Sequence, residues 1–164
     1  MNVIDAKLKK VSLSLPFGIG SAEWEVTKTE SKAAWELYIE LATRIAVQPL
    51  DAEEGLAREA MNSLYSLFAS TRDILRKAGP EVGAAKNSVG GIAIAVLNNG
   101  LRPFLAKWHP LLQMWEVQRD PKISPQEHEK KWEHETVLRG ELEALRHDLT
   151  KYAEALAEIA GVKI

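Results

Sequence analysis

Seven apolar side chains near the C-terminus most constrain how this chain can fold. Leu138, Leu142, Leu145, Leu149, Tyr152, Leu156 and Ile159 recur at alternating spacings of four and three. That is the seam of a helix that packs lengthwise on other helices. A seam of this length cannot stay in water, so at least one more long helix must cover it. The pattern extends backwards. Ser124-Pro125-Gln126-Glu127 is a capping box with proline at the first helical position, where no amide is needed. A helix over 125–160 would be about 50 Å long at ~1.5 Å per residue. Its front half is polar apart from Trp132 and Val137, so it is expected to project beyond the bundle, with Gly140 a point where it could bend.

Three further helical regions precede it. Region 28–47 opens with the capping box Thr27-Lys28-Thr29-Glu30 and stops at Pro49. Its apolar face is read as Trp35, Tyr38, Ile39, Ala42, Ile45 and Ala46, widened by Leu37 and Leu41. Region 52–78 opens with Asp51-Ala52-Glu53-Glu54 and stops at Gly79-Pro80. Its face is Leu56, Ala60, Met61, Leu64, Leu67, Phe68, Thr71, Ile74 and Leu75. Region 88–118 is apolar on nearly all sides between Val89 and Leu97, as a central helix would be, and its glycines would admit close neighbours. Pro103 and Pro110 lie inside it and either kink or end it, since each withholds an amide from the residue four back.

Residues 10–26 differ. Val11, Leu13 and Leu15 alternate with serines, turn formers follow, and Glu23-Trp24-Glu25-Val26 alternates again. A short β-hairpin or a pair of extended arms fits, packed on the helices or on another chain. The expected fold is one all-α domain, 1–164: a four-helix bundle with a kinked third helix, a long last helix and this N-terminal accessory. An orthogonal helical array is the alternative, because the prolines disturb straight packing.

Composition narrows the function. A chain of 164 residues buries roughly 70% of the surface of its unfolded form. It needs no staple, and with no cysteine it has no disulfide and no thiolate metal site. The net charge of −2, from 21 basic and 23 acidic residues, does not call for nucleic acid. The run Val89–Leu97 is too short to span a bilayer, and no apolar segment follows MNVIDAKLKK as in a leader peptide. A cytoplasmic protein without a membrane partner is expected.

The segment LRPFLAKWHPLLQMW (101–115) is the first candidate site. Arg102, Lys107, Trp108 and His109 could form a pocket for an anion, with the cations as charges and Trp108 as a platform. Alternatively the cations cap the freed carbonyls of a broken helix. In 128–135, His128 and His134 are six apart and lie on different faces, so a metal site is not expected there. Glu127, Lys131 and Glu135 read as a solvated face, and Trp132 becomes a partner anchor if the segment projects. Phe17 and Trp24 in the hairpin are candidate partner contacts too. The basic bias of Arg72 to Lys77 reads as ordinary complementation of a helix end. His147-Asp148 point about 100° apart and make no dyad; the serines lack a nucleophile elbow, the carboxylates lack paired Glu-x-x-His motifs, and Gly90-Gly91 lacks a P-loop lysine. No catalytic residue, metal or cofactor is expected.

Three segments, AAWELYIELATRIAVQPL (33–50), EGLAREAMNSLYSLFASTRDILRKAGP (54–80) and AVLNNGLRPFLAKWHPLLQMWE (95–116), together resemble an uncharacterised family of bacterial helical proteins. The resemblance extends to LPFGIG (15–20) and SPQEHEKKW (124–132). It implies an accessory role in bacterial conflict or defence gene clusters and transfers no catalytic residue. The function expected is a non-enzymatic adaptor or structural subunit, working on a protein partner or as a homo-oligomer. A sensor of a small anionic, nucleotide-like ligand at region three is the alternative. A membrane-disrupting effector is less favoured, because Asn98, Asn99 and the glycines face lipid poorly.

Overall fold

Alternation at the N-terminus becomes an antiparallel hairpin. Strand β1 (Lys9–Leu15) pairs with β2 (Gly20–Val26), with Val11 opposite Trp24 and Leu13 opposite Ala22. The computed structural model describes residues 9–51 and 53–163. The leader reading of residues 1–8 and the helix start at Ala52 therefore fall outside the described residues. The hairpin turn is closed by Ile19 N–H donating to Pro16 O at 3.2 Å, with positive φ at Phe17 (60°) and Gly18 (70°). Two positive φ values match the right-handed twist of the strands. Val11, Leu13, Leu15, Ala22 and Val26 form the buried face.

The remainder is mostly helical. Helix α1 (Lys28–Ala42) begins with the expected capping box, and a 3-10 turn (Ile45–Val47) follows it. Helix α2 (Ala57–Ala78) starts later than its apparent capping box predicts. Asp51 is spent on a local turn, its carboxylate accepting Glu53 N–H at 2.8 Å. The first amide of α2 is satisfied from elsewhere in the chain: Ala57 N–H donates to Glu129 Oε1 at 2.9 Å. The buried residues of α2, from Ala60 to Ile74, are otherwise those of the expected face.

Helix α3 (Val89–Ala95), a π-helical segment (Val96–Leu101) and α4 (Arg102–Glu116) run on from one another. Neither proline ends the helix. Arg102 N–H reaches back five residues to Leu97 O, and the wider turn leaves room for the Pro103 ring. This helix is the one among the described residues long and apolar enough to cross a bilayer, and its most apolar window is 44% buried in the fold. It is not enclosed on all sides, since Ile94 is 49% exposed. Its glycines admit a loop rather than a helix. A Cβ on Gly90 would lie 2.6 Å from Val82 O, and one on Gly91 2.5 Å from Lys86 O.

The expected rod over 125–160 is broken. Helix α5 (Pro125–Lys130) ends in a turn, and α6 (Glu135–Ala160) sets off afresh. The segment folds back and does not project. Every residue of the C-terminal seam is buried, and α6 packs along α1 and under β1. Helix α1 also packs on α2, and α2 on α4. One buried cluster joins Val11 in the hairpin to Ile159 in α6.

Candidate functional site

Of the four residues expected to share a pocket at 101–115, the structure brings Lys107 and Trp108 together, the ammonium 4.7 Å from the indole centroid, and places Arg102 and His109 apart from them. Arg102 is exposed and lies over the Phe68 ring of α2, with its Nε and Nη2 donating to Asn98 Oδ1 at 3.3 and 3.2 Å. Lys107 faces α6 and pairs with Glu141 at 2.6 Å. Trp108 is buried and donates its indole N–H to the other oxygen of Glu141. His109 turns towards α2, with Nδ1 3.0 Å from Arg58 Nη1 and its ring edge-on to Tyr65. Five residues of helix turn Lys107 well away from Arg102. The cations do not cap a broken helix either, because the helix continues past both prolines. Hydrogen bonds from Lys107 and from Trp108 hold the Glu141 carboxyl below its ordinary range.

The candidate partner contacts are largely committed within the chain. Trp132 is 8% exposed and meets Trp108 edge-on, so it presents no projecting anchor. Trp24 is half-buried and donates to Glu30 Oε2 at 3.3 Å. Phe17 packs its ring on Gly100, where an added Cβ would lie 2.8 Å away. The stretch around 128–135 is not a wholly solvated face, for His128 and Glu129 are both buried. Glu129 pairs with Arg139 at 3.1 Å and caps α2. Glu30 is its counterpart at the other end of the fold. Its carboxylate accepts Thr27 N–H at 3.0 Å and Val89 N–H at 3.2 Å, joining the starts of α1 and α3. Both buried carboxylates thus reach a helix start far along the chain, Glu30 that of α3 and Glu129 that of α2, and local sequence discloses only the capping of α1 by Glu30. Among the described residues no group of three His, Asp or Glu side chains could hold a metal.

An exposed apolar surface lies where the core was expected. Helix α1 carries two apolar stripes. Ala33, Ala34, Leu37 and Leu41 are the buried one, against α6 and α2. Trp35 (43% exposed) and Ile39 (41%) therefore face outward, with Tyr38 stacked on Trp35 at 5.9 Å and Ile45 exposed beyond them. Trp35 borders a cleft of about 650 Å³ between α1 and the ends of α2 and α6. Lys28, Lys32 and Lys77 rim it, and Ala78 and Ala160 contribute apolar wall. Lys77 is held by Asp73 at 2.8 Å, whereas Lys28 and Lys32 join no ion pair among the described residues. The two stripes and the i,i+4 lysines are visible in the sequence; which stripe is buried is not.

No family model matches the chain, and neither a curated protein nor a solved structure does.

Proposed function

We propose that the chain is a non-enzymatic adaptor, a four-helix bundle that holds a segment of a partner protein on the α1 face. This reading is supported by Trp35 and Ile39, exposed on α1 beside the lysine-rimmed cleft, with Tyr38 stacked on Trp35 and packed against the edge of the core. Exposed tryptophan and tyrosine supply contact area at little entropic cost and are favoured anchors. The partner is an amphipathic segment with an apolar anchor for Trp35 and carboxylates for Lys28 and Lys32, which join no ion pair among the described residues. The setting suggested by the family resemblance is a bacterial defence or conflict system, in the cytoplasm. The ligand-sensor reading built on Arg102, Lys107, Trp108 and His109 has less support, because those four side chains do not converge.

The charges give a test. The chain is co-expressed with the genes that neighbour its own, and the purified complex is titrated with salt. Rim charges act on the association rate and its salt dependence. A Lys28→Glu/Lys32→Glu variant with unchanged circular dichroism should associate at least about tenfold more slowly at low salt. Association at the wild-type rate excludes this face. A complex of two copies of this chain replaces the foreign partner with self-association.

A further inference from the structure

Two arginines from different helices meet at one aromatic ring. Arg72 of α2 and Arg102 of α4 place their guanidinium carbons 5.7 and 5.2 Å from the centroid of Phe68. Both side chains are exposed, and among the described residues neither joins an ion pair. The nearest acid in sequence, Asp73, is engaged by Lys77. Arg102 is also held by Asn98 of the π-helical segment, an amide that fixes its position and leaves its charge in place.

Helix ends do not explain the pair. Arg72 lies more than one turn before the end of α2, whose last turn already carries Arg76 and Lys77. The dipole effect fades within the last turn. Arg102 lies within the continuous helix and not at a C-terminus. Each guanidinium instead lies within cation–π distance of the ring, an attraction that uses none of its N–H donors. Arg72 makes no hydrogen bond among the described residues, and Arg102 keeps Nη1 unengaged. Two planar forks, pinned before any ligand arrives, suit an anion with several oxygens spread in space. A carboxylate satisfies one fork, whereas a phosphoryl group has oxygens for two.

We propose that Arg72 and Arg102 bind the phosphoryl group of a small soluble ligand at the edge of Phe68. The site is separate from the α1 cleft, so it stands or falls independently of the adaptor reading. Arginine also stacks on planar rings, so a nucleotide and an inorganic polyphosphate share the chemistry that would bind here.

The test is a titration with inorganic pyrophosphate at constant ionic strength, read by the arginine Nε–Hε signals in heteronuclear NMR. Two signals should shift and saturate, and Arg72→Gln and Arg102→Gln should each remove one. Each variant should weaken binding about tenfold or more, the loss expected when a charge-assisted bond is removed. Lys151→Gln, a substitution at an exposed lysine on α6, should bind as wild type. A parallel titration with adenosine diphosphate separates the sources: tighter binding marks a nucleotide site, and equal binding a polyphosphate site. Circular dichroism shows that the variants are folded. Shifts that never saturate, or variants that bind like wild type, overturn the proposal.

Discussion

Trp115 and His128 lie flat on each other, ring centroids 4.3 Å apart and planes 8° from parallel, and they exchange two hydrogen bonds. The Trp115 indole donates to His128 O at 2.8 Å, and His128 Nε2 meets Trp115 O at 2.7 Å. A carbonyl only accepts, so Nε2 must carry the proton. This double contact fixes α5 to the end of α4. It is one reason the stretch from Pro125 to Ala160 is not a single rod.

His128→Ala should therefore destabilise the fold by about 1–3 kcal/mol, through the lost imidazole hydrogen bond to Trp115 O, which keeps only Gln118 N–H as a donor, and an uncovered indole face. Urea denaturation gives the number. Amide exchange should rise first across residues 120–134. A loss below about 0.5 kcal/mol, the range of an ordinary surface substitution, would show that α5 does not depend on this pair.

Glu129 carries more. It caps α2 through Ala57 and faces Arg139 with its own side chain only 6% exposed. Glu129→Ala leaves the Ala57 amide unmatched and removes one of the two carboxylates at Arg139, which keeps Glu135 at 2.7 Å, so the cost should be about 1–3 kcal/mol. Glu129→Gln keeps an acceptor and should cost less. Equal losses from the two substitutions in denaturant titrations would assign the effect to the charge facing Arg139 and not to the acceptor that caps Ala57.

The hairpin tip is locked by shape. Gly100→Ala sets a methyl group against the Phe17 ring and should cost about 1–3 kcal/mol, as overpacking does. In a Phe17→Ala background the same substitution should cost much less, since its obstacle is gone. A double-mutant cycle measures this coupling. Simple additivity would place the hairpin tip elsewhere.

Acid should loosen the contact between α4 and α6. Lys107 and Trp108 hold Glu141 below the ordinary value of 4.5, so its folded pKa lies under its unfolded one. Its contribution is complete above the unfolded value and is lost as the pH falls through the folded one. The side chain is 41% exposed, and screening keeps the effect to about 1 kcal/mol or less. Glu141→Gln should flatten the fall in stability below that ordinary value. An unchanged pH profile would show that the pair contributes nothing.

The long-range helical pattern was readable from residue periodicity. The seam from Leu138 to Ile159, the Thr27 cap and the face of α2 all follow from local spacing. Choices made by tertiary contact were not. Helix α1 offers two apolar stripes, and the positions of α2 and α6 select Leu37 and Leu41 over Trp35 and Ile39. The break after Lys130 needs no proline or glycine; Trp132 turns inward onto Trp108 while Glu129 reaches α2 and Arg139. The candidate site at 101–115 was grouped by closeness in sequence. Helical geometry separates Arg102 and His109 from the Lys107–Trp108 pair, and the partners that explain them, Phe68, Glu141 and Arg58, lie far along the chain.

Trp35 decides whether the α1 face holds a partner, and native mass spectrometry reads this out. The chain and its Trp35→Glu variant are each co-expressed with the neighbouring genes and sprayed from the same buffer. The adaptor account predicts a defined complex with wild type and a bare monomer with Trp35→Glu, both equally folded by circular dichroism. A bare wild-type monomer, or a complex that survives the substitution, would contradict it.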